Sequence, residues 1–304
     1  MWILFAFLSA SLLGLYDVCK KHSLQSNAVI PVLFLNTLFC SMIFVAPIVL
    51  SATGHIPQDS DFHIAPWDWA SHRYILLKAA IVLSSWILGY FAMAHLPLTI
   101  AGPVNATRPV MTLAGALLIF GEELNGWQWA GVGLAIASFY LLSRSGKKEG
   151  ISFAHDRWIL FLVGAAVLGA ASGLYDKYLM SPADSGGQGL GRMEVQGWYN
   201  VYQCIMMALV LAIIWWPRRH GGHSFKWRWS IILISLFLTL ADMAYFYALS
   251  DPEAMISVVS IVRRGSVVVS FMCGAFFFKE KNIHSKAVDL AFVIAGMVCL
   301  WIGS

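Results

Sequence analysis

Apolar residues run along the chain in long blocks joined by short polar stretches. The blocks cover residues 2–19, 29–51, 73–94, 98–120, 127–143, 157–179, 195–216, 227–249, 253–278 and 285–303. Each is of a length that carries a helix across a hydrocarbon core of ~30 Å. Lipid cannot satisfy an open backbone, so each block is expected as a helix. The pattern predicts an all-α polytopic membrane protein with ten transmembrane helices. Tryptophans near the block ends, among them Trp67, Trp69, Trp127, Trp129, Trp216 and Trp229, suit an aromatic belt at the membrane interfaces.

Composition sharpens this picture. Of 304 residues, 59% are hydrophobic and 12% charged, against roughly a quarter charged in soluble domains. The mean hydropathy is +0.71. A soluble protein needs a polar exterior that this chain lacks, which excludes a cytosolic enzyme, a nucleic-acid-binding module and a disordered chain. Cys19, Cys40, Cys204, Cys273 and Cys299 lie in or beside apolar blocks, with no CxxC spacing, and read as buried thiols. The first block has no basic segment before it and reads as a retained helix. The loops at 52–72 and 181–194 are too short to be domains.

The net charge of +4 is concentrated in loops. Thirteen basic residues flank the ends of odd-numbered blocks, including Lys20, Lys21, Arg144, Lys147, Arg218 and Lys279; the opposite side has two, Arg73 and Arg192. The positive-inside rule then places both termini outside.

The blocks also repeat. Gly14-Leu15-Tyr16-Asp17 recurs as Gly173-Leu174-Tyr175-Asp176, Tyr90-Phe91 as Tyr245-Phe246, Pro97 as Pro252 and Arg108 as Arg263, while Asn36 aligns near Asn200. The offsets are 159, about 164 and then 155, changing only where one half has a longer loop. Two units are expected, residues 1–145 and 156–304. Five spans per unit is odd, so the second unit must sit upside down. Inverted repeats around a midplane site are an architecture of secondary transporters.

These five-plus-five spans resemble the drug/metabolite transporter superfamily, and the chain is similar to its EamA-type members. Gly121-Glu122-Glu123 after span 4 and Lys279-Glu280-Lys281 after span 9 fit that resemblance. It implies a transporter whose substrate is one of several polar classes. Several characterised relatives are drawn with both termini cytosolic, the reverse of the basic-residue count here.

Ionisable residues inside a membrane cost several kcal/mol, ~2.5–3.5 for Arg or Asp at a helix centre, and normally face a cavity or a partner. Here they are Asp17, Arg108, Asp176, Lys177, Asp242, Arg263 and Arg264. Asn105 and Arg108 share a face with Thr112 and Gly115, and Ser257, Ser260 and Arg263 form a similar stripe. Converging guanidinium groups make an anion site, since arginine stays protonated and offers a planar fork of donors. The superfamily's phosphate-translocating members resemble this, with one basic residue in span 4 and a basic pair in span 9. The expected substrate contacts are Arg108, Arg263, Arg264, Asn36, Asn105, Asn200, Tyr199 and Ser260. Tyr199 and Asn200 belong to a Trp-Tyr-Asn run similar to one in nucleotide-sugar carriers. Asp17, Asp176, Asp242, Lys20 and Lys177 are the expected gating or coupling groups; Asp17 has Lys20 and Lys21 within in-helix reach. Asp242 reads as either a proton site or the partner of Arg264. The arginines could instead be neutralised by these aspartates and only join helices.

His63 and Asp68 form an HxxxxD string in a proline-containing loop with no second motif, and neither HExxH, GxSxG nor Walker A is present. Neither enzyme activity nor ATP-driven transport is expected, and no cofactor or metal. The expectation is therefore a secondary transporter of a small polar, anionic metabolite, bearing phosphate or carboxylate and moved by alternating access. The alternative is a lipid-handling protein such as a flippase component. Expected partners are the metabolite, the lipid bilayer, and a proton or counter-substrate, with no nucleic acid. The chain is expected as a monomer or homodimer in a bacterial inner membrane.

Overall fold

The computed structural model describes residues 2–60, 62–108, 110–111, 125–147, 155–180, 186–219, 224–250, 262–280 and 283–303. Their regular structure is helical, with no strand among the described residues. In chain order the helices are α1 (Trp2–Leu24), α2 (Val29–Ala52), α3 (Trp69–His95), α4 (Leu98–Ala106) and α5 (Gly126–Lys147). They continue with α6 (Arg157–Met180), α7 (Arg192–Val210), α8 (Ser230–Ser250), α9 (Ser266–Phe276) and α10 (Ile283–Gly303). Six described helices are long and apolar enough to cross a membrane, within α1, α2, α3, α6, α7 with its extension to Arg218, and α10. Residues 112–124 and 251–261, parts of the fourth and ninth apolar blocks, lie outside the described residues.

Local chemistry sets several boundaries. Asp68 precedes α3 and its carboxylate accepts from Ser71 N at 3.2 Å, which assigns that half of the HxxxxD string to a helix cap. Asn125 and Gln128 cap α5 reciprocally, side chain to backbone N–H, at 3.0 Å each way. After Val210 the α7 helix widens into a π turn at Leu211–Trp215 and ends as a 3-10 turn at Trp216–Arg218, where Pro217 has no N–H to donate.

The main packing pairs are α1 with α8, α5 with α10, α3 with α6 and α2 with α7, followed by α1 with α9, α3 with α7, and α4 with α9 and α2 with α8. Each joins an early helix to a late one. Glycines make two of these crossings close. A Cβ on Gly131 of α5 would stand 2.9 Å from the Gly296 carbonyl of α10. One on Gly102 of α4 would stand 2.9 Å from Val267 of α9. Water provides no drive to join helices inside lipid, so backbones that approach this closely gain their packing from dispersion contacts.

One end of the bundle is basic. There Arg228 donates to the carbonyls of His22 and, at 2.9 Å, Gln25, while Trp158 stacks on His95. The turn between α3 and α4 lies at this end and is held from both sides. Lys21 donates to Met93 O at 2.8 Å and Leu96 O at 2.5 Å. The Glu280 carboxylate accepts from Leu98 N at 2.6 Å, Thr99 N at 2.8 Å and the Thr99 hydroxyl. A cation thus meets the carbonyl end of α3 and an anion the N–H end of α4, the signs each helix dipole favours. The buried Lys286 ammonium joins this group by donating to Thr99 Oγ1 at 2.9 Å. At the opposite end, residues 62–68 fold against the bundle, with Ile64 buried and its N–H bonded to Ser51 Oγ at 3.1 Å.

Candidate functional site

A cavity of about 340 Å³ lies among α1, α3, α4, α6, α7, α8 and α9. Its lining is polar to a degree that lipid-embedded helices do not support without a purpose. Of the sequence-predicted residues, Asp17, Lys20, Asn105, Arg108, Asp176, Tyr199, Asp242, Arg263 and Arg264 all face it. Residues more than two hundred positions apart are brought together because α1 packs on α8 and α4 on α9.

Each described carboxylate of the cavity holds a cation. Lys20 pairs with Asp17 at 2.8 Å within α1, one helical turn apart. Arg263, just before α9, pairs with Asp242 of α8. The ion-pair partner of Asp242 is thus Arg263 rather than the expected Arg264. Asp176 pairs at 2.5 Å with Lys78 of α3, a residue missing from the sequence expectations. Lys177, expected beside it, has its side chain outside the described residues, as does all of Ser260.

Lys78 was legible in principle. Hydropathy starts the third span at Arg73, which makes Lys78 an end-of-span residue; α3 starts at Trp69, which sets it well inside the helix. It is buried, and its ammonium also donates to Ser172 Oγ at 2.6 Å.

Aromatic rings back the cations. The Lys20 ammonium sits 4.4 Å from the Tyr16 ring centre, the Arg263 guanidinium 4.3 Å from Tyr245, and the Lys78 ammonium 5.9 Å from Tyr199. Such placements add attraction that does not neutralise the charge. Arg108 donates to Asn105 Oδ1 at 3.1 Å, a spacing of one helical turn bringing both onto one face. Its guanidinium lies flat against α6 where Gly169 leaves room: a Cβ there would stand 2.8 Å from Arg108 Cζ. Arg264 faces the cavity too, with no carboxylate at ion-pair distance among the described residues.

Asn36 and Asn200 do not line the cavity. Asn200 donates to Gln196 O at 2.8 Å, one turn back in its own helix, and Asn36 is fully buried beside Cys40 and Ser235. An amide in a membrane helix needs a partner, and its own backbone can be that partner.

A second, larger cavity of about 610 Å³ opens at the end away from the basic face. Phe62, His63, Arg192, Glu194, Met243 and Tyr247 contribute to its walls. Arg192 and Glu194 of α7 and Tyr247 of α8 stand one to two turns from Tyr199 and Asp242 along their helices.

No curated protein matches the chain. A solved structure described as "Crystal structure of protein" covers 98% of this chain and 95% of its own, with a TM-score of 0.60 at 14% identity, a likeness of fold alone. Residues 1–144 match the EamA-like transporter family. Several apolar membrane-length helices, a polar cavity within them and that match lead to one identification: the chain is an integral multi-pass membrane protein whose residues 1–144 match the EamA-like transporter family.

Proposed function

We propose that this protein is a secondary transporter of a small anionic metabolite, bound in the central cavity between two inverted five-helix units. One observation carries the substrate class. The described lining holds five cations (Lys20, Lys78, Arg108, Arg263, Arg264) against three carboxylates (Asp17, Asp176, Asp242), a formal excess of two positive charges. Each of these carboxylates is engaged by Lys20, Lys78 or Arg263, and the guanidinium of Arg264, with that of Arg108 beside it, lines the same cavity. In a low-dielectric interior such an excess is costly until an anion enters. A phosphate monoester or dicarboxylate supplies two negative charges and accepts bidentate bonds from arginine.

The inverted-repeat reading is supported by the packing. Exchanging the two units converts the α1–α8 pair into the α6–α3 pair and leaves α2–α7, α4–α9 and α5–α10 unchanged. A two-fold relation between units has this property. The repeat is uneven in charge. Leu179 stands where Lys20 would recur, Leu233 where Lys78 would, and Ile87 where Asp242 would. The positive excess therefore comes from the first unit. Alternating access follows from this arrangement if the two units exchange conformations around the bound anion, with the ligand binding the closed form more tightly than either open one.

The test uses detergent-purified protein and a transport assay in proteoliposomes. Phosphorylated sugars, nucleotide sugars, dicarboxylates and amino acids are screened for a raised unfolding midpoint, since a ligand that binds the folded state stabilises it. The expected result is a shift from an anion that vanishes in Arg108→Ala and Arg264→Ala, with transport lost while both variants still insert in the membrane. Stabilisation by neutral or cationic compounds alone would refute the anion reading.

A further inference from the structure

We infer that Asp176 is a resident counter-ion that the substrate displaces, and that Lys78 is a substrate-binding residue which alternates between Asp176 and the transported anion. This rests on the anion-transporter reading and specifies how its site works.

The argument starts from the unequal settings of the two partners. The Lys78 side chain is 5% exposed and Asp176 32%. Lys78 has a second anchor that does not depend on Asp176: its ammonium donates to Ser172 Oγ at 2.6 Å and approaches Ser172 O at 3.4 Å. The lysine thus stays in place if the aspartate swings away. Asp176 has no other ion-pair partner among the described residues and sits on the open side of the pair. Space for a replacement exists. Gly173, one turn before Asp176 on the same helix face, lines the cavity, and a Cβ built on it meets nothing within 4 Å. An oxyanion over Gly173 can take the donor that Asp176 gives up. Asp176, left without its cation, is then free to accept a proton or to turn toward the open cavity.

The pair also spans the two units. Lys20–Asp17 and Arg263–Asp242 each lie within one unit, whereas Lys78 of α3 reaches Asp176 of α6. Exchange of Asp176 for substrate therefore breaks the described ion pair that ties one unit to the other. Binding and release of this tie are the same event, which couples occupancy to movement of the units. Lys20 at the equivalent corner lacks this property, since its aspartate is three residues away on its own helix.

A double-mutant cycle tests the inference, with inorganic phosphate and succinate as probes and affinity read by calorimetry on the full-length protein. Asp176→Asn is expected to tighten binding roughly tenfold, the worth of one charge-assisted hydrogen bond no longer contested. Lys78→Gln is expected to weaken it by a similar factor. In the double variant the gain from Asp176→Asn should vanish, because the donor it frees is gone. An equal gain with and without Lys78 would mean that Asp176 acts only through its field, and would overturn the inference. So would wild-type affinity in Lys78→Gln. If Lys78→Gln does not fold, Asp176→Asn against the double variant, which leaves no lone charge, decides the same point. Arg264→Ala separates the two readings: binding lost there but unchanged in Asp176→Asn refutes the exchange and keeps the anion site. Failure of both anions to bind the wild type refutes both.

Discussion

Gly169→Ala adds one methyl group to α6 at the place where the Arg108 guanidinium rests. The new Cβ would stand 2.8 Å from Cζ, 2.9 Å from Nη1 and 3.0 Å from Nε. Carbon contacts are comfortable only at about 3.5–4.0 Å, so the guanidinium must retreat by roughly 0.5–1 Å. The group that moves is the end of a long side chain, so the fold tolerates the change. Replacing a mid-helix glycine by alanine also favours the helix by about 0.5–1 kcal/mol. Stability and affinity should therefore move in opposite directions. The unfolding midpoint is expected to stay or rise. Affinity for the anion is expected to fall by about 1.5–3 kcal/mol, one hydrogen bond to a charged group, or roughly tenfold to a hundredfold. Thermal unfolding and calorimetric titration on the same preparation read both quantities. Gly133→Ala, whose Cβ meets nothing within 4 Å, is the control. Unchanged affinity in Gly169→Ala would refute the placement of Arg108 in the anion site; a collapse of stability would refute the reasoning about which atoms give way.

Glu280→Ala removes the acceptor of two N-terminal amides of α4 and should lower stability by about 1–3 kcal/mol, seen as a lower unfolding midpoint; a midpoint equal to wild type would contradict the cap. Gly131→Leu drives a side chain against the Gly296 carbonyl, which cannot move aside as a side-chain tip can. It should cost about 1–3 kcal/mol or disrupt the α5–α10 pair, measured by detergent stability and monodispersity. A reporter fused after residue 304 is expected to read out the side opposite the basic loops, as the distribution of Lys and Arg implies; a cytosolic signal would reverse the assigned orientation.

Much of the site is legible in the amino-acid sequence because charge in lipid is rare enough to be noticed singly. Arg108, Arg263 and the aspartates are conspicuous in apolar blocks, and the order of the repeat ties distant ones together. What sequence could not supply was partner choice. Adjacent residues on a helix point about 100° apart, so Arg263 and Arg264 leave the backbone in different directions. Both line the cavity all the same, because long flexible side chains reach around a helix edge. Lys78 escaped because a hydropathy boundary at Arg73 makes it interfacial, when α3 starts four residues earlier. Asn36 and Asn200 lie off the cavity lining, and for Asn200 the reason is visible: bonding within its own helix gives the amide a partner with no cavity nearby.

The pairing of early with late helices sets a timetable for biogenesis. Ser9 of α1 donates to the Ala241 carbonyl of α8 at 2.6 Å, across 232 positions of sequence. A ribosome adding about 5–20 residues per second takes roughly 10–50 s to supply that partner. Over the same interval α4 stands without Glu280, and α5 without α10. The nascent first half must wait in lipid with its small-residue faces unpacked and with Lys78 lacking its Asp176 partner. Quality-control proteases and insertion chaperones meet it in that state, so a lesion that slows synthesis of the second half endangers the first.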